Sequence, residues 1–314
     1  MTEKCPRFRG FIVAGVALLV AAMATASMAQ PDPNKVLRYA FEVAESSFDP
    51  QRNSDVYSGI VNNAIFDTPL RYDFLARPPK LIPNTLVAMP EVSADYKTYT
   101  LRVKPGIYFS DDAAFGGKKR ELTAGDYVYS IKRLFDPKLA APLLSEVEGY
   151  IVGSEELLKR VRRANQMDYD TPLEGLKALD RYTFQVKLNE SKPNWIYNFA
   201  DGRVASALAR EVVEMYMEDI VSHPVGTGPY RLTFWKRSSK MVFESNPNFR
   251  EEYFDGQPNA DDIEGQAILD RLKGKRLPMI GRVEVAIITE QQPRWISFLN
   301  REFDLLWQIG RAHV

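Results

Sequence analysis

Few side chains in this sequence could carry out bond-breaking chemistry. The 314 residues include two histidines, His223 and His313, and one cysteine, Cys5. A Ser-His-Asp triad would need His223, which precedes a proline, and no nucleophile-elbow pattern is present. Removal of the first 29 residues would also remove Cys5, which excludes a cysteine nucleophile and a Cys/His zinc site. We therefore predict no catalytic residue.

The acidic side chains offer only an indistinct site. The run Asp261, Asp262 and Glu264 does not have the ligand spacing of a helix-loop-helix calcium loop. Paired carboxylates could hydrolyse a glycosidic bond, but no spacing singles out one pair. A secreted hydrolase stays open as an alternative, and we predict neither a metal site nor a cofactor.

A glycine motif, Gly226-Thr227-Gly228-Pro229-Tyr230, is the most distinctive short segment. Its glycines are expected to adopt backbone angles that a Cβ would forbid, and Pro229 fixes the next φ angle. A phosphate-binding loop would continue with Lys-Ser/Thr into a helix. Here a strand pattern follows, so the motif does not predict a phosphate site.

Alternating apolar and polar residues predict the strands that must position these side chains. One mixed sheet is expected from Val36–Val43, Tyr182–Leu188, Arg231–Trp235 and Val283–Ile288, and Thr98–Val103 is expected in a separate unit. Helices are predicted over 55–70, from Thr123 with Asp126 in the first turn, over 206–221 and over 293–300. The buried stripe of the first of them is expected to consist of Val56, Ile60, Ala64 and Ile65. Residues 251–281 are predicted to be irregular.

The order of these motifs resembles that of the extracellular solute-binding proteins of the peptide/oligopeptide class, which serve ABC importers. Beside the glycine motif and Asn246–Phe249, the resemblance is carried by Tyr99, Thr100, Gly106, Phe109, Asp111, Leu122, Thr123, Ala124, Asp126, Val128, Ser130 and Arg133. The loop Asp112–Arg120 departs from the family pattern by extra residues, which a surface loop tolerates. The resemblance covers nearly all of Val36–Leu306.

This resemblance implies an α/β fold, a class II periplasmic-binding-protein-like lobe with a mixed sheet and an inserted α+β subdomain. Lobe I is expected at 30–54 and 180–308, the subdomain at 55–179, and a non-native tail at 309–314. The second lobe of the family is expected to be missing from this sequence, so weak peptide binding is expected of the chain alone.

The family's ligand cleft opens beside the loop that follows the first strand. The resemblance therefore implies that Glu42, Glu45, Ser46 and Ser47 line a cleft for peptide. It also implies the function: capture of peptide and its delivery to an ABC permease with its ATPase. Another ligand, such as a metal chelate, haem or a sugar, stays open because this fold class binds many ligands.

The first 29 residues have the features of a signal peptide. Lys4, Arg7 and Arg9 precede an apolar run over 11–23, and Ser27-Met28-Ala29 is a small-x-small cleavage site. Of the 41 basic and 41 acidic residues, three basic and one acidic lie in this segment, which leaves 38 and 40 in the mature chain. This charge balance predicts no nucleic-acid partner. The mature protein is expected to be a soluble, periplasmic monomer.

Overall fold

The computed structural model describes residues 32–306. The predicted signal peptide and the predicted tail at 309–314 lie outside the described residues. The strands are β1 Asp32–Phe41, β2 Leu70–Tyr72, β3 Leu81–Pro83, β4 Glu91–Val92, β5 Thr98–Arg102, β6 Leu176–Ala178, β7 Thr183–Lys187, β8 Tyr230–Lys236, β9 Lys240–Ser245, β10 Glu252–Tyr253, β11 Arg276–Leu277 and β12 Ile280–Ile287.

The α-helices are α1 Val56–Ile65, α2 Ala124–Arg133, α3 Ser154–Ala164, α4 Gly202–Ala205, α5 Arg210–Tyr216, α6 Ile263–Leu272 and α7 Gln291–Leu299. Short 3-10 helices cover Pro50–Arg52, Ala113–Phe115, Leu144–Glu146, Pro193–Ala200 and Met217–Ser222. Within residues 32–306, no helix combines the length and the apolar character that crossing a bilayer requires.

The first sheet is mixed and has the strand order β1-β12-β9-β8. β1 runs parallel to β12, whereas β9 is antiparallel to both β12 and β8. Phe41, Phe243 and Val285 from this sheet form a buried cluster with Val61 and Ile65 of α1. The helix α1 therefore packs against the first sheet, directly after the loop that follows β1.

The second sheet is antiparallel, with the order β4-β5-β7-β6. Its buried face contacts α2, where the ring of Tyr127 stacks on Phe184 with 5.3 Å between centroids. The predicted start of α2 is confirmed, since the Thr123 backbone N–H donates to the Asp126 carboxylate at 2.7 Å. The Thr123 hydroxyl donates to the same carboxylate at 2.9 Å, and these hydrogen bonds fix the first turn of the helix.

The prediction that Tyr182–Leu188 joins the first sheet is wrong. β7 lies between β5 and β6 in the second sheet, and Tyr99 faces Val186 across the β5–β7 pair. The alternating pattern identifies a half-buried strand, but both sheets have one buried face, so the pattern does not select between them. A boundary after Leu179 would separate β7 from its partner β6.

Two predicted segments also differ from the structure. The single helix predicted over 206–221 is α5 followed by a 3-10 helix, because Met217 has a φ of 49°, which a right-handed helix cannot accommodate. The segment predicted as irregular, 251–281, contains α6 and the β10–β11 pair. Asp262 caps α6 by accepting the Gly265 N–H at 2.9 Å, so part of the acidic run starts a helix.

The glycine motif packs against the C-terminal end of α1. The Gly228 N–H donates to the Ile65 carbonyl at 2.8 Å. A Cβ would lie 2.1 Å from that carbonyl oxygen at Gly226 and 2.6 Å from it at Gly228. Neither glycine has a positive φ, so the expectation of special backbone angles is wrong. Close approach of two backbones is what requires glycine here.

A buried ion pair joins the loop after β1 to α2. The Arg133 guanidinium donates to both oxygens of Asp49, at 2.9 and 2.7 Å, and neither side chain is more than 1% exposed. Burial lowers the pKa of Arg133, but the Asp49 carboxylate outweighs it and the net pKa is raised. The Phe48 N–H also donates to the Val221 carbonyl at 3.0 Å. The loop is thus held in one position relative to the second sheet and its helices.

We predict that Gly226→Ala lowers the free energy of unfolding by about 3 kcal/mol or more, because the new methyl group meets backbone that must move. Urea denaturation measures this. Gly125→Ala in α2 is the matched control, since a Cβ there has only an ordinary contact, 3.5 Å from Thr123. Its stability should be unchanged or up to about 1 kcal/mol higher. Equal stability of the two variants would contradict the packing role of Gly226.

We predict that Arg133→Met lowers the free energy of unfolding by about 3–5 kcal/mol, because it leaves a buried carboxylate without its cation. The double variant Asp49→Leu/Arg133→Met should recover most of this loss, since no buried charge remains. Arg162→Met is the control: its pair with Glu148 is exposed and should contribute no more than about 1 kcal/mol. A double variant no more stable than Arg133→Met would contradict the charge explanation.

Candidate functional site

The four side chains predicted to line a cleft lie at the C-terminal end of β1 and in the loop after it. Glu42 accepts a hydrogen bond at 2.7 Å from Arg294 of α7, which also donates to the Ile288 and Thr289 carbonyls. Glu45 is 4% exposed and accepts from the indole N–H of Trp235. Both glutamates thus make contacts inside the fold.

The two serines belong to a hydrogen-bonded group around Asp55, the N-cap of α1. The Ser46 hydroxyl donates to the Asp55 carboxylate, and the Ser58 N–H and hydroxyl donate to the same carboxylate at 2.7 Å each. Burial raises the pKa of Asp55, but these hydrogen bonds together outweigh it and lower the pKa. Ser47 is buried and accepts the Asp49 N–H at 2.9 Å.

Beside this group lies a cavity of about 470 Å³, which we call the α1 cavity. Amide, acidic and aromatic side chains are prominent among the residues that line it: Pro50, Asn53, Ser54, Asp55, Val56, Gly59, Asn62, Asn63, Tyr72, Tyr197, Asn198, Ala200, Asp201, Gly202 and Arg203. None of the four predicted residues lines it. Ser46 is connected to the lining by one hydrogen bond, which its hydroxyl donates to Asp55. The assignment of the four residues to a ligand site stays a prediction.

The rim and the interior of the α1 cavity differ in chemistry. Val56, Tyr72 and Tyr197 are 73%, 46% and 50% exposed, so apolar and aromatic surface surrounds the opening. The lining residues Asn53 and Asn62 are buried, whereas Asp201 and its partner Arg203, whose guanidinium lies 2.7 Å away, are partly exposed. Most of the side chains that line the cavity are polar or charged, so hydrogen-bonding groups predominate there.

The opposite end of α1 is fixed by a second buried carboxylate, Asp67. It accepts from Arg250 at 2.7 Å, from the Thr227 hydroxyl of the glycine motif at 2.8 Å and from Asn84 at 3.0 Å. Burial raises the pKa of Asp67, but Arg250 and the hydrogen bonds outweigh it and lower the pKa. These hydrogen bonds hold the chain just after α1 and so oppose movement of the helix along its axis.

The residues of the α1 cavity were not identified by sequence reasoning because the wrong face of α1 was expected to be buried. The predicted stripe began at Val56, which is exposed, whereas Ser58 and Asn62 are buried. One signal was available: Gly59 and Asn63 fall on the face that begins at Val56. A glycine and paired asparagines within a helix are unusual enough to mark that face.

Among residues 32–306, no group of three or more His, Cys, Asp or Glu side chains is arranged to hold a metal ion. The acids Asp261 and Glu264 border a separate shallow cavity with Arg77 and Asn259. The side chains that line the α1 cavity offer hydrogen-bonding groups and apolar contact.

The chain is similar in sequence to known solute-binding proteins. The chain matches the family model described as "Bacterial extracellular solute-binding proteins, family 5 Middle" over residues 80–314. Di/tripeptide-binding protein 2 of Pseudomonas aeruginosa is 26% identical over 298 residues, which cover 91% of this chain and 50% of that protein. The periplasmic oligopeptide-binding protein OppA of Salmonella typhimurium is 27% identical over 251 residues, covering 77% and 42%.

The substrate-binding domain of the oligopeptide ABC transporter of Bacillus anthracis superposes with a TM-score of 0.67 at 18% identity, covering 88% of this chain and 46% of that one. The predicted fold, a class II periplasmic-binding-protein-like lobe, is confirmed by this likeness. The chain spans about half the length of the curated relatives it matches. With its motifs in the family's order and the family model matched over residues 80–314, the chain belongs to family 5 of the bacterial extracellular solute-binding proteins.

Proposed function

We propose that this chain is part of the substrate-binding component of a peptide ABC import system. It captures peptide in the periplasm and delivers it to a permease with its ATPase. The observation that carries the proposal is the α1 cavity, with its aromatic rim and its amide-lined interior. The peptide ligands named for the relatives support the same ligand class.

The cavity suits the two kinds of surface that a short peptide presents. The peptide backbone carries one donor and one acceptor per residue, and asparagine side chains offer both. The exposed side chains of Val56, Tyr72 and Tyr197 offer apolar contact to peptide side chains. The Asp55 carboxylate, kept ionised by its lowered pKa, favours cationic groups such as a peptide amino terminus.

The resemblance to this family implies that ligand is bound between two lobes that close on it. The α1 cavity is open on one side, and its rim residues are exposed. We propose that a second lobe covers this opening in the whole protein. The division into lobe I, at 30–54 and 180–308, and a subdomain at 55–179 stays a prediction, with β7 bonded to the subdomain sheet.

We predict that residues 30–314 alone bind peptide weakly. If a site of roughly −8 kcal/mol divides equally between two lobes, one lobe retains about −4 kcal/mol, which turns a micromolar site into a millimolar one. Calorimetric titration with a mixed di- to pentapeptide library would compare these residues with the product of the whole reading frame.

Circular dichroism of both samples would control for folding in that titration. Equal affinity of the two proteins would place the whole site within residues 30–314 and contradict the clamp. Absence of peptide binding by the longer protein would contradict the proposed function itself.

We also propose that residues 1–29 direct export and are cleaved after Ala29. The basic start, the apolar run and the small-x-small site support this. Mass spectrometry of the protein recovered from the periplasm should find a chain that begins at Gln30. Retention of Met1 on the recovered protein would show that the segment is not a cleaved signal.

A further inference from the structure

Gly59 occupies the middle of α1 without any local reason to be glycine. Its φ is not positive, and a Cβ there would have only one neighbour within 4 Å, Asn53 Nδ2 at 3.6 Å. Glycine weakens a helix relative to alanine because it loses more conformational freedom on folding. Neither backbone conformation nor packing requires glycine, and the residue lines the α1 cavity. The missing side chain therefore keeps the helix face open to the cavity.

Two asparagine side chains in the wall of the same cavity lack hydrogen bonds. Asn62 is 2% exposed, and neither its Nδ2 nor its Oδ1 has a partner among the described residues. Asn53 is 1% exposed; its Oδ1 accepts the Asp55 N–H at 2.9 Å, whereas its Nδ2 has no partner there.

Burying a polar group without a hydrogen bond is unfavourable, so such groups are rare in folded proteins unless they serve another purpose. Asn62 presents one donor and one acceptor side by side, and Asn53 adds a donor. A carboxamide presents the same pair in reverse and can satisfy both atoms of Asn62. A carboxylate only accepts, an ammonium group only donates, and an aliphatic side chain does neither.

We propose that Gly59, Asn53 and Asn62 form a side-chain subsite that selects a carboxamide-bearing residue, asparagine or glutamine, in the bound peptide. This inference rests on the proposed function. The ionised Asp55 at the same cavity disfavours aspartate and glutamate side chains, which separates the carboxamide from its acidic counterpart of equal size. The gap at Gly59 lies beside these amides, since a Cβ there would stand 3.6 Å from Asn53 Nδ2.

The test uses the product of the whole reading frame and peptides that differ by one nearly isosteric residue. Tri-alanine would carry Asn or Leu, and in a second series Gln or Met, at each position in turn, with affinities from calorimetry. At one position the wild type should bind the carboxamide peptide at least about tenfold more tightly, since an unmatched amide forfeits its hydrogen bonds. In Asn62→Leu this preference should vanish or reverse.

Two further variants separate the subsite from general effects. Gly59→Leu fills the open helix face and should weaken binding of the carboxamide peptide and of its aliphatic counterpart alike. Asn189→Leu is the matched control, because this exposed amide donates to the Gly149 carbonyl and lies outside the α1 cavity. The variant should prefer the carboxamide peptide as strongly as the wild type does. The unfolding temperature of the Asn62→Leu variant should equal or exceed that of the wild type, because an unpaired buried amide is replaced by an apolar group.

Three results would overturn the inference. Peptide binding with the same Asn/Leu and Gln/Met ratios in the wild type and in Asn62→Leu would refute the subsite and leave the proposed function intact. A lower unfolding temperature of Asn62→Leu would mean that this amide is bonded in the free protein. Failure of the wild type to bind any peptide would refute the proposed function and the subsite together.

Discussion

The buried pair between Asp49 and Arg133 is the interaction on which the rest of the site depends. It connects the loop after β1, which belongs to the first sheet, with α2, which covers the second. A charge buried without its partner is strongly unfavourable, so any position of the loop that separates Asp49 from Arg133 is high in free energy. Because Asp55, the N-cap of α1, follows a few residues later, the same pair also restrains the start of the helix that lines the α1 cavity.

The helix α1 packs one face against the first sheet and is fixed at both ends, and this explains its unusual sequence. Val61 and Ile65 pack against the first sheet. Its N-terminal end is capped by Asp55, and the chain just beyond its C-terminal end is fixed by Asp67 and by the glycine motif. With both ends fixed and one face packed, the remaining face is free to carry residues chosen for something other than stability.

The sequence predicts local structure well here, and long-range placement less well. Alternation located the strands β1, β5, β7, β8 and β12, and the Thr123–Asp126 spacing located the start of α2, because these signals come from neighbours along the chain. The sheet that β7 joins was predicted wrongly because strand pairing depends on residues far away. The glycine motif was recognised, but its reason, contact with the Ile65 carbonyl, depends on a distant backbone. The amides of the α1 cavity were overlooked because polar helical residues usually face solvent.

The open position at Gly59 also bears on how this protein could change over evolutionary time. A methyl group would fit there without disturbing the backbone, and alanine is a better helix former than glycine. Most changes to a binding site lower stability and need compensation elsewhere. Here an added Cβ meets only one ordinary contact, and the position lines the cavity. Selectivity could thus drift through single substitutions in one codon while the fold stays intact, which would let duplicated copies diverge in ligand preference quickly.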